Sequence, residues 1–327
     1  MTHQDFRDWI PCQLAWDGDT PLIEWAYFPE TRYQEPFFGQ TIDGCLKRPF
    51  NLLFRRKTNL YALLAWAAKS PGITPTGFIF HVSRCGSTLV SNLLGNLPSA
   101  LKISEASPLD SVIRIKERFP GISEAEHLAL LRALVGALDQ RRTEDQTRLF
   151  IKFDAWNTHH LPLLRAAFPE VPWVFVYRNP VEVLVSGLRT RGAHMIPLAV
   201  PPGLFGMTLP EAAQLSPEQY GARVLASTYA AGLQNHLPGK SVLVNHSQLP
   251  QAVWTTIAPA FGLDLTSEER AHMEQESQTH AKSRFIFESD SEQKRREASD
   301  AIREAARQWI DPVYERLEAA RKLQTVP

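Results

Sequence analysis

Five short apolar runs constrain this 327-residue chain more than anything else in it: GFIFHV at 77–82, ALKI at 100–103, RLFIKF at 148–153, PWVFVY at 172–177 and KSVLV at 240–244. Each has strand composition, and segments with helical apolar spacing separate them. That alternation predicts an α/β fold, a parallel sheet wrapped by helices. At roughly 150 residues per domain the length allows one large α/β domain or two modest ones. Lys plus Arg and Asp plus Glu both number 35. With no basic excess, the phosphate-neutralising surface that bulk nucleic-acid binding needs is missing, and nucleic acid is excluded as an expected partner.

The chain falls into two regions. Residues 1–75 are rich in Pro and aromatics, with strand-like QLAW and LIEWAYF followed by helical patterns at PFFGQTIDGCLK and TNLYALLAWAAK. This reads as an N-terminal extension, its tryptophans forming either a packed flank or a dimer surface. Residues 76–327 carry the five runs. Within them, about 106–142 reads as a helical insert whose segment SEAEHLALLRALVGAL opens on a capping box at Ser123 and Glu126. The Pro- and Gly-rich apolar stretch 192–210 reads as an irregular loop suited to a lid. A charged amphipathic helix is expected from about 291 to 323, burying Ile302, Ala305, Ala306, Trp309, Ile310 and Tyr314. Cys12, Cys45 and Cys85 are odd in number and lack CxxC spacing, so neither a disulfide framework nor a zinc site is indicated. No export signal or membrane span is read, and the expected compartment is the cytoplasm.

Two motifs carry chemistry. In GFIFHVSRCGSTLVSNLLGNL a strand runs into SRCGST and then into a helix with apolar residues at 89, 90, 93, 94 and 97. Backbone N–H groups of such a loop, with the positive end of the helix, suit phosphate or sulfate. Against the pattern GxxxxGK[ST], Gly86 and Thr88 fit, but His81 replaces the first Gly and Ser87 the Lys. The positive charge sits instead at Arg84, whose planar fork can hold two oxyanion oxygens. Cys85, inside this loop, is expected to be an acidic, oxidation-prone thiol. The second motif, PWVFVYRNPVEVLVSGLR, places Arg178 at a strand's carboxyl end, Asn179 as N-cap and Pro180 at the first helical position. Arg178 and Ser186 then face a ligand crevice or, on the plainer reading, the sheet edge and solvent.

Together these residues resemble the sulfotransferases that use 3′-phosphoadenosine 5′-phosphosulfate (PAPS), over about Phe78 to Asn245. The resemblance implies a P-loop-NTPase-like parallel sheet flanked by helices, with PAPS as donor and the bisphosphate PAP as product. By it, Arg84, Cys85, Gly86, Ser87 and Thr88 grip the 5′-phosphosulfate, and Arg178 with Ser186 grips the 3′-phosphate. The sequence departs from many members where Arg84 stands for Lys, Cys85 for Ser or Ala, and VLVNHSQL for an acidic stretch. Arginine at that loop position is similar to tyrosylprotein and many bacterial sulfotransferases. The basic adenosine-contacting segment has no clear counterpart; Lys282, Arg284 and Lys294 are candidates, in HAKSRF and just beyond it.

Sulfuryl transfer asks for in-line geometry, a base for the acceptor proton, and cations on the transferring oxygens. Glu105 lies 21 residues beyond Arg84, a spacing that resembles the catalytic glutamate of tyrosylprotein sulfotransferases. His160, in HHLPLL, is the competing base and resembles the KTHLP motif of cytosolic members, though eight residues separate it from Lys152 instead of two. Lys152, at the end of the third run, is the candidate for stabilising the leaving phosphate, assisted by Arg84. No metal is expected, since there is no HExxH and no carboxylate cluster. The acceptor, a small molecule, glycan or peptide with a hydroxyl or amine, is not readable. Two other readings stay open: a nucleotide-dependent kinase with Asp154 on Mg²⁺, and a non-catalytic nucleotide-binding module.

Overall fold

The computed structural model describes residues 5–30, 32–282 and 291–324, with the side chains of 279–282 left aside. All five runs are strands: β4 (Gly77–His81), β5 (Ala100–Ser104), β6 (Arg148–Lys152), β7 (Trp173–Tyr177) and β8 (Ser241–Asn245). They form one sheet in the order β5-β6-β4-β7-β8. Every residue of β4, β5, β7 and β8 is buried, which explains why these runs are continuously apolar instead of alternating. The β5–β6 and β7–β8 ladders are parallel, Ala100 opposite Arg148 through Ser104 opposite Lys152, and Trp173 opposite Ser241 through Tyr177 opposite Asn245.

This order fixes where a ligand can sit. After β4 the chain crosses to the β5 edge, whereas after β7 it continues outward to β8. The two connections leave neighbouring strands in opposite directions, and the crevice between them, at the carboxyl ends of β4 and β7, is the switch point at which open α/β sheets bind ligands.

The chain divides into two compact units, residues 1–78, 94–154 and 162–171 in the first and 79–93, 155–161 and 172–327 in the second. In the first, β1 (Trp9–Asp17) and β2 (Thr20–Tyr27) form an antiparallel hairpin in which Asp17 faces Thr20. Its two-residue turn is Gly18-Asp19, with Gly18 at φ +58°, the left-handed conformation such hairpins require. The segments α1 (Phe38–Leu46), α2 (Pro49–Leu53), β3 (Arg56–Asn59) and α3 (Leu60–Ala67) follow. β3 adds a third strand, paired with β2, that its basic sequence RKTN does not advertise.

The second helix of the sheet region, α5 (Ser107–Ile113), and α6 (Glu124–Leu138) occupy the expected insert. Ser123 and Glu126 form the predicted capping box. The helix after β4, α4 (Ser87–Gly95), is followed by Leu97, and the apolar positions 89, 90, 93, 94 and 97 are all buried.

The second unit adds α8 (Pro180–Arg189), α9 (Leu209–Gln214) and α10 (Pro217–Gln234), while α7 (Leu161–Ala167) lies at the boundary of the two units in sequence. Gly232 on α10 lies so close to the Phe175 ring that a Cβ would come within 2.5 Å of it. Two short 3₁₀ turns, Ala193–Met195 and Pro202–Phe205, punctuate the stretch read as an irregular loop.

The continuous helix expected at 291–323 is instead broken. After α11 (Ala258–Ala260) and α12 (Ser267–Lys282) come α13 (Ser291–Glu297), α14 (Asp300–Ala305), a wide turn over Ala306–Ile310, and α15 (Asp311–Leu323). Ser299 caps α14 by accepting from the Ile302 N–H at 3.3 Å. Asp311 donates five residues back, to Ala306, just before Pro312, which has no N–H to continue the regular ladder. Of the expected buried stripe, Ala305, Ala306 and Ile310 are buried, while Ile302, Trp309 and Tyr314 are half-buried.

Candidate functional site

Two clusters stand at strand carboxyl ends. In the second unit, the chain leaves β4 through Val82 and bends sharply, with Ser83 at φ +70°, Arg84 at +53° and Gly86 at +90°. Glycine tolerates this region freely, but Ser83 and Arg84 do so at about 1–2 kcal/mol each. Strain of that kind persists where the surroundings over-determine it, and here the restraints are visible. Ser83 donates its N–H to His81 Nδ1 at 2.9 Å, and Cys85 donates Sγ–H to the Val176 carbonyl at 3.1 Å. Consecutive residues of this conformation turn backbone N–H groups toward one side, an anion-holding shape at the start of α4.

The expected oxidation-prone thiol is not what the fold makes of Cys85. Its side chain is fully buried and donates to a β7 carbonyl, so reagents have no access to the sulfur. Cys12 and Cys45 are also buried free thiols. Burial, with Glu24 adding to it, pushes Cys12 up to about 12.

Arg84 Nε donates to Ser186 Oγ at 2.9 Å, joining the two sequence motifs across 102 residues. Ser186 is therefore not a solvent-facing serine; it is 1% exposed. Asn179 caps α8 by accepting from the N–H groups of Val181 and Glu182 at 3.1 and 3.4 Å, with Pro180 in the first turn. Ahead of that cap, Arg178 is buried, and its carbonyl accepts from the hydroxyl of Tyr229.

Arg178 is held by groups that motif reading did not supply. Its Nε donates to Glu182 Oε2 at 2.6 Å and its Nη2 to Ser291 Oγ at 3.1 Å. Ser291 in turn donates to Glu182 Oε2 at 2.8 Å, and Arg295 donates to Glu182 Oε1 at 2.8 Å. Burial would raise the Glu182 carboxyl, but the hydrogen bonds from Arg178 and Ser291 outweigh it and hold the group below its ordinary value. Two guanidinium groups, those of Arg178 and Arg295, thus meet one carboxylate. The Arg178–Glu182 spacing of four residues was a readable signal, whereas Ser291 and Arg295 lie more than 100 residues away in sequence.

This cluster lines a cavity of about 600 Å³ whose wall continues through Asn245, His246, Tyr314 and Glu318. His246 Nδ1 lies 3.1 Å from the Cys85 carbonyl, tying the end of β8 to the loop. Lys294 is buried on α13; Arg284 and the Lys282 side chain lie outside the described residues.

Glu318 closes the cavity from α15. It accepts from the Tyr177 hydroxyl, from Asn245 Nδ2 at 2.9 Å and from Arg321 Nη2 at 2.8 Å. Burial alone would raise its carboxyl, but the donors Arg321, Tyr177 and Asn245 prevail and lower it from 4.5 to about 2. A group depressed on folding stabilises the native state above its unfolded value and loses that contribution as the pH falls through its folded value. The gap in thermal midpoint between the wild type and Glu318→Gln is therefore expected to narrow as the pH drops from about 4.5 toward 2. A gap that stays constant through that window would refute the assignment.

In the first unit, Glu105 and Lys152 are adjacent, at the carboxyl ends of the paired strands β5 and β6. The Glu105 N–H donates to the Lys152 carbonyl at 2.7 Å, and Lys152 Nζ makes an ion pair with Glu105 Oε1. Glu105 holds φ at +53°, a second non-glycine residue in a costly conformation at a candidate position. The Lys152 side chain is 1% exposed and Glu105 26%, so the ammonium is enclosed while the carboxylate keeps a face to solvent. Phe37 covers Lys152, its ring centroid 4.8 Å from Nζ. Two residues on, burial, then the nearby Glu105 and Asp110, push the Asp154 carboxyl well above its ordinary value.

His160 ends a 3₁₀ turn, Ala155–His160, in the second unit. Its neighbour His159 is lowered to about 4 by burial and by His160. Among the described residues no group of three or more His, Cys, Asp and Glu could hold a metal ion, and no helix is long and apolar enough to cross a membrane.

No protein-family model matches the chain, and no curated protein matches it. Solved structures do. The sulfotransferase STF9 from Mycobacterium avium superposes with a TM-score of 0.48 at 12% identity, over 77% of this chain and 81% of that one. A sulfotransferase from Alicyclobacillus acidocaldarius gives 0.43 at 15% identity, over 77% and 97%. The sulfotransferase domain from the curacin biosynthetic pathway gives 0.42 at 15% identity, over 79% and 99%.

Proposed function

We propose that the protein is a PAPS-dependent sulfotransferase, its N-terminal 75 residues an extension of a catalytic region that runs from 76 to 327. The observation that carries this reading is the hydrogen bond between Arg84 and Ser186. It brings the two motifs that suggested a phosphosulfate loop and a 3′-phosphate grip to the switch point of the sheet. On this reading the N–H groups of Arg84 through Thr88 receive the 5′-phosphosulfate, with the Cys85 side chain serving the loop's own packing. Arg178 and Ser186 receive the 3′-phosphate, Arg178 sharing its guanidinium with Glu182.

Bound PAPS would supply an activated sulfuryl group; the remaining tasks fall to the protein. Lys152, enclosed and cationic, offsets charge developing on the leaving phosphate, as preorganised cations do in a water-poor site. Glu105, an oriented carboxylate with a solvent-facing side, takes the proton of the acceptor hydroxyl or amine. The acceptor is a small molecule, glycan or peptide.

The test is thermal unfolding with 3′,5′-adenosine bisphosphate beside AMP and ATP, each with and without Mg²⁺. A native-state ligand at about 100 times its dissociation constant adds roughly 2.7 kcal/mol, enough to raise the midpoint by several degrees. Stabilisation by the bisphosphate, independent of Mg²⁺ and larger than that by AMP, is the expected result. Stabilisation by ATP with Mg²⁺ alone would overturn the reading.

A further inference from the structure

A short surface helix ordinarily turns its apolar side chains inward and its polar ones to water. α2 does the reverse. Its one polar residue, Asn51, is 1% exposed. Asn51 Oδ1 accepts from the Tyr27 N–H at 2.8 Å, and Asn51 Nδ2 donates to the backbone carbonyls of Tyr27 and Cys45 at 2.9 and 3.0 Å. That anchor faces the apolar residues outward: Phe50 is 43% exposed, Leu52 59%, Leu53 76% and Phe54, just past the helix, 58%. Phe50 rests on Tyr27 with ring centroids 4.7 Å apart, and Phe54 on Phe50 at 5.1 Å. Tyr61, 74% exposed, lies shortly beyond. Most of the large exposed apolar side chains among the described residues thus fall within one short stretch of the first unit, where scattered exposure would call for no explanation.

The charges around this ridge say what it meets. Lys47 and Arg48 precede it, Arg55, Arg56 and Lys57 follow it, and all five are exposed. From Gly44 to Tyr61 there is no Asp or Glu, in a chain whose net charge is zero. Acids from elsewhere compensate part of this: Glu30 pairs with Arg48, and Glu24 with Lys57 at 2.7 Å. Arg56 lies over the Trp9 ring, 4.2 Å from its centroid. A two-fold contact between copies would set the same cationic patch against itself, whereas an anionic lipid surface complements both the apolar ridge and its basic flanks.

We propose that α2 and its flanks are an interfacial anchor that seats the protein on anionic membranes. Leu52, Leu53 and Phe54 enter the boundary of the acyl region, and the basic flanks meet the headgroups. The anchor is independent of the reaction assigned above.

The test is co-sedimentation of the full-length protein with phosphatidylcholine vesicles and with vesicles of phosphatidylcholine mixed with phosphatidylserine. Binding to the mixed vesicles, falling as salt is added, is expected. Leu52→Asp/Leu53→Asp should weaken it by about tenfold or more while leaving the thermal midpoint unchanged, because both side chains already stand in solvent. Lys47→Gln/Arg55→Gln should erase the preference for the anionic vesicles. The proposal is overturned by a wild type that stays in the supernatant with both vesicles, or by full binding of the leucine variant. A wild-type dimer that Leu52→Asp/Leu53→Asp converts to monomer would overturn it too, by making the ridge a self-association face.

Discussion

Glu105→Gln is expected to lower turnover by about 10²- to 10⁴-fold while leaving stabilisation by the bisphosphate nearly unchanged. The amide keeps the shape and can still accept the Lys152 hydrogen bond, but it cannot take a proton. The substitution also leaves an enclosed ammonium bonded to a neutral partner, which forfeits part of the roughly 1.5–3 kcal/mol that a hydrogen bond to a charged group contributes. Turnover must therefore be compared well below the variant's thermal midpoint, with bisphosphate binding as the control for an intact fold. Near-normal turnover would remove Glu105 from the reaction and transfer the role of base to His160. Glu105→Asp separates charge from reach, since it restores an ionisable carboxyl but withdraws it by one methylene.

The parts of the fold that were readable are those in which sequence and burial coincide locally. Four strands of the central sheet are buried along their whole length and β6 along all but Arg148, so apolar runs marked all five. The capping box at Ser123 and the cap at Asn179 were likewise legible, because a cap is a contact among residues two or three apart. Where polarity and burial part company, sequence misleads. β3 is polar because only its pairing with β2 makes it a strand, and Asn51 is a polar residue buried amid exposed leucines. Cys85 sits in a loop whose composition suggests access, yet the left-handed turns at Ser83, Arg84 and Gly86 accompany a thiol pointed into the sheet. Among the candidate residues, Arg84, Ser186, Glu105 and Lys152 were named from motif and position, but the contacts that join Arg84 to Ser186 and Glu105 to Lys152 were not. Glu182 was within reach of a spacing argument, four residues from Arg178, whereas Ser291 and Arg295 were not, because network contacts closed over more than 100 residues leave no local pattern.

That network sets the terms for the second large effect. Arg178→Ala is expected to weaken binding of 3′-phosphorylated nucleotides by about 10- to 150-fold, or roughly 1.5–3 kcal/mol, while sparing AMP. The single variant carries a complication that follows from the geometry: Glu182 is only 2% exposed, and deleting Arg178 leaves its carboxylate with Arg295 and Ser291 alone. Breaking a buried pair by removing one partner typically costs about 3–5 kcal/mol, enough to compromise folding. The double variant Arg178→Ala/Glu182→Ala removes the stranded charge together with its partner. It should regain most of the lost stability, since the remaining Arg295 side chain is 58% exposed, and yet keep the phosphate-specific defect. The measurement is calorimetric affinity for the bisphosphate and for AMP on both variants. If the double variant binds the bisphosphate as well as the wild type does, Arg178 serves only to neutralise Glu182, and the 3′-phosphate must be held elsewhere. If it loses bisphosphate and AMP equally, the defect lies in the pocket as a whole and not in a contact to the 3′-phosphate.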